Sequence, residues 1–266
     1  MTSLSSHPVA LDVAARIAAP VGALGGSFML DPTVLGPGKA AGYPGGFSYY
    51  VVGRGGVLGD VDADVVVSAF GFFAPDLVTS LWNAGVSVEG ARAGARRYAE
   101  GCAAWGRTRL AGFGGAERLA ELVGRVVDEA EVGGLSLFAG WRAMERPSDP
   151  VGRCYLLLHV LRELRGSAHL LACVASGLTP LEAVLANPTG GAATAERFGW
   201  SGPFDADPEA SSRFAVAEEL TNRLMAKHLE VLASSTGSSE PAGKSGLTEL
   251  AELISAASTH VAHPLA

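Results

Sequence analysis

From about residue 87 onward apolar residues recur at spacings of three and four, the helical period, and strand-like alternation is hard to find. Ser87 is placed to cap a helix running to about Leu110, and "GGAERLAELVGRVVDEAEVGG" reads as a second helix bounded by glycines. "SDPVGR" supplies a cap at Asp149 and a proline at the first helical position. It opens the longest predicted helix, which runs to about Ser176 and stops at Gly177. "LTPLEAVLANPTGGAATAERFGW" predicts two short helices about a turn at Asn187 and Pro188, and "DPEASSRFAVAEELTNRLMAKHLEVLA" a long amphipathic one. A small-residue, polar linker at about 234–246 precedes the last helix, "LTELAELISAAS". The first 60 residues are interrupted by glycine and proline, so short helices, an ordered loop or a lone strand at "YYVV" all fit them.

The expected fold is therefore all-α: a helical bundle with a small C-terminal helical region. Residues 1–145 form an N-terminal unit, and 146–266 hold the long central helix together with the C-terminal helical region. A chain of 266 residues buries a sizeable core without staples, and Cys102, Cys154 and Cys173 lack C-x-x-C spacing, which predicts reduced thiols. The formal charge of −7 opposes a general nucleic-acid binder. Mean hydropathy is high at +0.26, yet no apolar run approaches the roughly 20 residues that a bilayer span needs. "MTSLSSHPVALDVAARIAAP" lacks a basic segment followed by an apolar one, so no signal peptide is expected. Together these features read as a cytoplasmic protein away from membranes.

Candidate chemistry concentrates in "HVLRELRGSAH", residues 159–169. On a helix Tyr155, His159, Arg162, Glu163, Gly166 and His169 share one side, opposite Leu157, Val160, Leu161, Leu164, Ala168 and Leu171. A histidine four residues before a glutamate lets the carboxylate orient the imidazole, as a general base requires, and Arg162 and Arg165 suit an anionic group. The plainer reading of the same stripe is a solvated helix face. His159 and His169 lie about 80° apart around the helix, unlike an H-E-x-x-H pair.

"GRGGVLGDVDAD" matches neither a P-loop nor G-x-G-x-x-G, and Asp60, Asp62 and Asp64 read as helix-capping acids before metal ligands. Arg54 is an isolated cation between glycines, placed either at a pocket or on the surface. In "VVVSAFGFFAPDLVTSLWNAG" the phenylalanines and Trp82 read as core before ligand cage, although helices meeting at Pro75 can wall a cavity. The pair from Leu178 to Trp200 has helix-turn-helix spacing, but Arg197 is its only cation, poor equipment for reading DNA.

The segments "FSYYVVGRGGVLGDVDADVVVSAFGFFAPDLV" and "LRELRGSAHLLACVASGL" resemble an actinobacterial, SalK-like family of largely helical proteins found near natural-product genes, often labelled helix-turn-helix. The resemblance runs in order over most of the chain. Arg54, Gly59, Phe73, Pro75, Arg162, Glu163, Arg165, Gly166 and His169 match its usual pattern. Leu164 and the region of Gly22 depart, both where a histidine is common, and the part after Trp200 is compressed relative to the family's winged-helix-like part, leaving a remnant of it.

The expectation is a small-molecule-binding protein, an enzyme of specialised metabolism acting on an anionic or carbonyl-bearing substrate. Glu163, His169 and His159 are its acid/base candidates; Arg54, Arg162, Arg165, Tyr50 and Trp82 are its substrate-binding candidates. No metal site is expected, a histidine-held haem or metal stays open as a cofactor, and a homodimer is compatible with the chain. The alternative is a ligand-responsive helix-turn-helix transcriptional regulator.

Overall fold

In a computed structural model that describes residues 7–205, 207–233 and 245–262, the polypeptide is organised around the helix opened by Asp149. Thirteen α-helices and no strand occur among the described residues: α1 (Pro8–Gly26), α2 (Pro32–Ala40), α3 (Gly46–Gly55), α4 (Ala63–Phe70), α5 (Pro75–Glu89), α6 (Ala91–Arg109), α7 (Ala116–Glu129), α8 (Ser136–Arg142), α9 (Pro150–Ala175), α10 (Pro180–Ala186), α11 (Ala192–Arg197), α12 (Ala210–Leu229) and α13 (Gly246–Ala262). The fold is all-α. The C-terminal region is helical through α12 and α13, and no described residue there forms a wing strand. Most of the predicted linker, residues 234–244, lies outside the described residues.

Helix α9 starts where its local chemistry dictates. The Asp149 carboxylate accepts from the Gly152 N–H at 2.7 Å, Pro150 supplies a preset φ, and Gly177 comes just after the end with φ of 72°. Helices α1, α6, α7, α8 and α12 pack around it. Residues Cys154–Leu161 are consequently all buried, which removes the amphipathic contrast expected of this helix. Glu163 and His159 are as buried as Leu164, whereas Leu171, assigned to the apolar side, is 42% exposed near the helix end. The two-faced reading of the stripe is thus overturned: neighbours enclose the helix on nearly every side over its first four turns.

One open alternative is decided and one further expectation is corrected. Of the readings for the first 60 residues short helices hold: "YYVV" lies inside α3, and all of Ser48–Gly55 is buried. Its β-branched and aromatic residues are satisfied by tertiary packing against α5 and α6, which overrides their strand preference. Ser87 caps nothing: it lies inside α5, and the break before α6 falls at Gly90, whose φ of 82° favours glycine. One core cluster unites side chains from Ala10 to Ala257. A smaller one, centred on Cys173, Leu178 and Phe214, joins the end of α9 to α10 and α12.

Helix α1 also departs from expectation. By length and composition it is apolar enough to cross a membrane, and it is the single described helix that meets that measure alone. Seven of its residues, among them Val13, Ile17 and Leu24, are buried, and the helix packs on α9, α12 and α13.

Asp149 carries both the cap and an ion pair to Arg107 at 2.6 Å. Asp149→Ala is expected to lower stability by about 1–2 kcal/mol, measured as the urea midpoint, without loss of helical circular dichroism. An unchanged midpoint would remove the cap from the account of how α9 begins.

Candidate functional site

Arg54, in the last turn of α3, reaches across the core to Glu163 at the middle of α9. Its Nε donates to Glu163 Oε1 at 3.0 Å and its Nη2 to Oε2 at 2.9 Å, a two-pronged pair buried on both sides. The third nitrogen, Nη1, donates to the Tyr50 hydroxyl oxygen at 3.2 Å, and the guanidinium lies over the Phe70 ring at 4.6 Å. Trp141 of α8 donates its indole N–H to the Arg54 carbonyl at 3.2 Å. Arg162 adds a second cation, donating to Glu163 Oε1 at 2.8 Å. Burial alone would raise the Glu163 pKa, but the two guanidinium groups outweigh it and hold it at about 2. Glu163 is therefore a fixed carboxylate at neutral pH, unsuited to donate a proton.

His159 lies one turn earlier, fully buried between Phe28 and Trp141. Its Nδ1 faces the Gly25 carbonyl at 3.0 Å, so that nitrogen carries the proton. Its Nε2 is buried without a hydrogen-bond partner, 3.9 Å from Glu163 Oε1. Burial, only partly offset by Glu163, pushes the imidazole down to about 4, so it is neutral near pH 7. Helix α1 comes this close because residue 25 is glycine: a Cβ there would stand 2.8 Å from both Arg162 Cβ and the Leu158 carbonyl oxygen.

Beside this network opens a cavity of about 470 Å³. Its walls include Tyr50, Phe47, Phe70, Phe72, Phe73 and Phe198, with Gly26 and Gly166. The charged residues on its lining are Arg54, Arg162 and Arg197, and no Asp or Glu is among them. Arg162 Nε is buried there without a partner, while its side chain remains 27% exposed. The volume suits a small organic molecule, and the wall combines an aromatic surface with cationic points.

The predicted residues thus fall into three groups. Tyr50, Arg54 and Arg162 line the cavity; Glu163 and His159 stand behind it as the buried ionic support. His169 and Arg165 are not on its lining and belong to a second cluster against α12. Arg165 pairs with Glu218 at 2.7 Å, and His169 Nδ1 lies 3.0 Å from Thr221 Oγ1 and 3.3 Å from Glu218 Oε1. Thr221 spends its own proton on the Ala217 carbonyl, so His169 Nδ1 is the donor and Nε2 faces Cys173 Sγ at 3.6 Å. Burial lowers the His169 pKa against the pull of Glu218. Phe72 separates this cluster from the cavity, its ring 5.7 Å from His169. Trp82 is 2% exposed in the core and lines no part of the cavity.

Sequence reasoning missed Arg197 and Phe198, which close the cavity from the end of α11, and it read the phenylalanines of 70–73 chiefly as core. The signal available was that Arg197 is the only cation between Leu178 and Trp200. Asp62 occupies the N-cap position of α4 without a side-chain bond. Among the described residues no group of three His, Cys, Asp or Glu side chains could hold a metal ion. The three cysteines are free and buried.

The sequence model of a helix-turn-helix family matches residues 14–263. No curated protein and no solved structure matches the chain.

Both buried ionisable groups bind fewer protons when folded. His159, held at about 4 against an ordinary 6.5, and Glu163, held at about 2 against 4.5, contribute stability that is complete above those ordinary values. The urea midpoint is expected to fall from pH 6.5 toward 4, with Glu163 adding to the loss below 4.5. Glu163→Gln, which leaves Arg54 without its counter-charge, should cost about 3–5 kcal/mol at pH 7 and flatten the lower part of that limb. A midpoint independent of pH between 7 and 4 would contradict the burial of a neutral His159.

Proposed function

The chain belongs to this helix-turn-helix family, and within it we propose a protein that binds one small organic molecule, with an apolar body and an anionic or carbonyl end, in the cavity between α1, α3 and α9. The observation that carries the reading is the wall itself: three arginines and no carboxylate on a lining rich in phenylalanine. With Glu163 the single acid against Arg54 and Arg162, the network is left one positive charge in excess, which an anionic ligand group would neutralise. Its resemblance to SalK-like proteins near natural-product genes supports a ligand drawn from specialised metabolism. As an enzyme it would use Glu163 as a fixed negative charge, with proton transfer left to other groups at the cavity.

A second reading, a ligand-responsive regulator, is favoured by the α10–α11 pair. Phe198, just after α11, stacks on Phe73 at 4.1 Å, and its carbonyl accepts from the Ala74 N–H at 2.8 Å. A ligand pressing on this wall would press on the helix pair. Against it stand the six-residue length of α11 and its exposed Glu196 beside the single Arg197.

The dye 8-anilino-1-naphthalenesulfonate, an aromatic anion of suitable size, is expected to bind one per chain with enhanced emission. Arg162→Ala should weaken it about tenfold at unchanged near-ultraviolet circular dichroism. No stoichiometric binding at 100-micromolar dye, roughly the weak end for a pocket of this kind, would remove the ligand reading.

Gel-shift titration against DNA flanking the gene, at two salt concentrations, separates the two readings. The binding protein without a regulatory role is expected to give no shift. A salt-sensitive shift altered by a cavity ligand would establish the regulator instead.

A further inference from the structure

We infer that the Tyr50 hydroxyl, not the Arg54 guanidinium, is the group that reads the ligand's oxygen, and that the ligand is an apolar ring compound bearing a carbonyl or carboxylate. The inference rests on the cavity being a ligand site and specifies what that site recognises. Every nitrogen of Arg54 already holds a partner: Nε and Nη2 the two oxygens of Glu163, Nη1 the Tyr50 oxygen. One face of its guanidinium lies over Phe70. Arg54 is thus the most tightly bound cation on the wall and the one least free to turn to a new anion. It is a positioning residue.

Tyr50 stands in the opposite condition. Its oxygen accepts from Arg54, which leaves its own proton to donate, and no acceptor for that proton occurs among the described residues. The ring is 5% exposed and fixed by Phe47, Phe70 and Phe73, with centroids 6.2, 5.9 and 6.1 Å away, and the residue lines the cavity. A phenol O–H on a cavity wall with no acceptor in the protein is left to whatever fills the cavity, and a ligand oxygen placed there would accept it in place of water. Because Arg54 donates to the phenol oxygen, it draws electron density from the O–H bond and makes Tyr50 a stronger donor. Glu163 keeps Arg54 in place for this.

The rest of the lining completes the class. Phe70, Phe72, Phe73 and Phe198 offer flat apolar surface to a ring, and the guanidinium end of Arg162, bonded to Glu163 through Nη1 on a side chain 27% exposed, is available to the second oxygen of a carboxylate. A carbonyl needs Tyr50 alone; a carboxylate uses Tyr50 and Arg162 together.

Three probes separate these roles when each competes with bound 8-anilino-1-naphthalenesulfonate: naphthalene, 2-acetylnaphthalene and 2-naphthoate. Tyr50→Phe, which removes only the hydroxyl, should weaken 2-acetylnaphthalene and 2-naphthoate about tenfold and leave naphthalene unchanged. Arg162→Met should weaken 2-naphthoate alone. Near-ultraviolet circular dichroism of both variants shows whether the aromatic wall is intact; if Tyr50→Phe disturbs it, the ratio of 2-acetylnaphthalene to naphthalene affinity in the wild type, expected near tenfold, carries the test. Oxygen-bearing probes that bind the wild type no better than naphthalene, or that ignore Tyr50→Phe, overturn the role of Tyr50 while leaving the cavity a ligand site. If the dye binds and none of the three displaces it, the ligand class is wrong. If neither dye nor probe binds, the ligand site itself fails.

Discussion

A carboxylate buried at the centre of α9 must be matched by a cation from elsewhere in the fold, and that requirement joins distant parts of the chain. Glu163 and Arg54 are 109 residues apart, and each would be prohibitive to bury alone. Their pairing fixes α3 against α9. The Arg54 carbonyl is held in turn by Trp141 of α8, and the histidine beside the pair is held by the end of α1. Four helices therefore meet at one ionic point inside a largely apolar core.

The cavity results from the same arrangement. Arg162 extends from α9 past Gly26 and cannot withdraw into the core without losing Glu163, so the space above it stays open and cationic. The phenylalanines after α4 close the opposite side. The guanidinium of Arg54, the most conspicuous charge of the wall, is already held within the fold by Glu163 and Tyr50.

Local signals made some of this legible in the sequence. Asp149, Pro150 and Gly177 bound α9 by backbone chemistry that operates within a few residues, and they did so where expected. The helical period gave the all-α class. Features that depend on neighbours were not legible in the same way. "YYVV" became a helix because α5 and α6 bury it, Ser87 lost its cap to the glycine three positions later, and the ionic stripe of α9 was enclosed by helices whose approach no periodicity announces. The candidate residues of 159–169 were separated for a related reason. The stretch is long enough to pass from one neighbour to another, so Glu163 meets α3 whereas His169 meets α12. Arg54 stood out as a lone cation, but its partner could not be read from spacing.

Two guanidinium groups and one carboxylate leave the network electrically lopsided, and the close seating of Gly25 and Gly26 bears on that imbalance. The last turn of α1 abuts Arg162 with its backbone, and the carbonyl-rich end of a helix carries roughly half a negative charge. Part of the counter-charge is therefore main chain, beyond the reach of any side-chain substitution, and invisible to a tally of acidic and basic letters. The remaining fraction of positive potential faces the void.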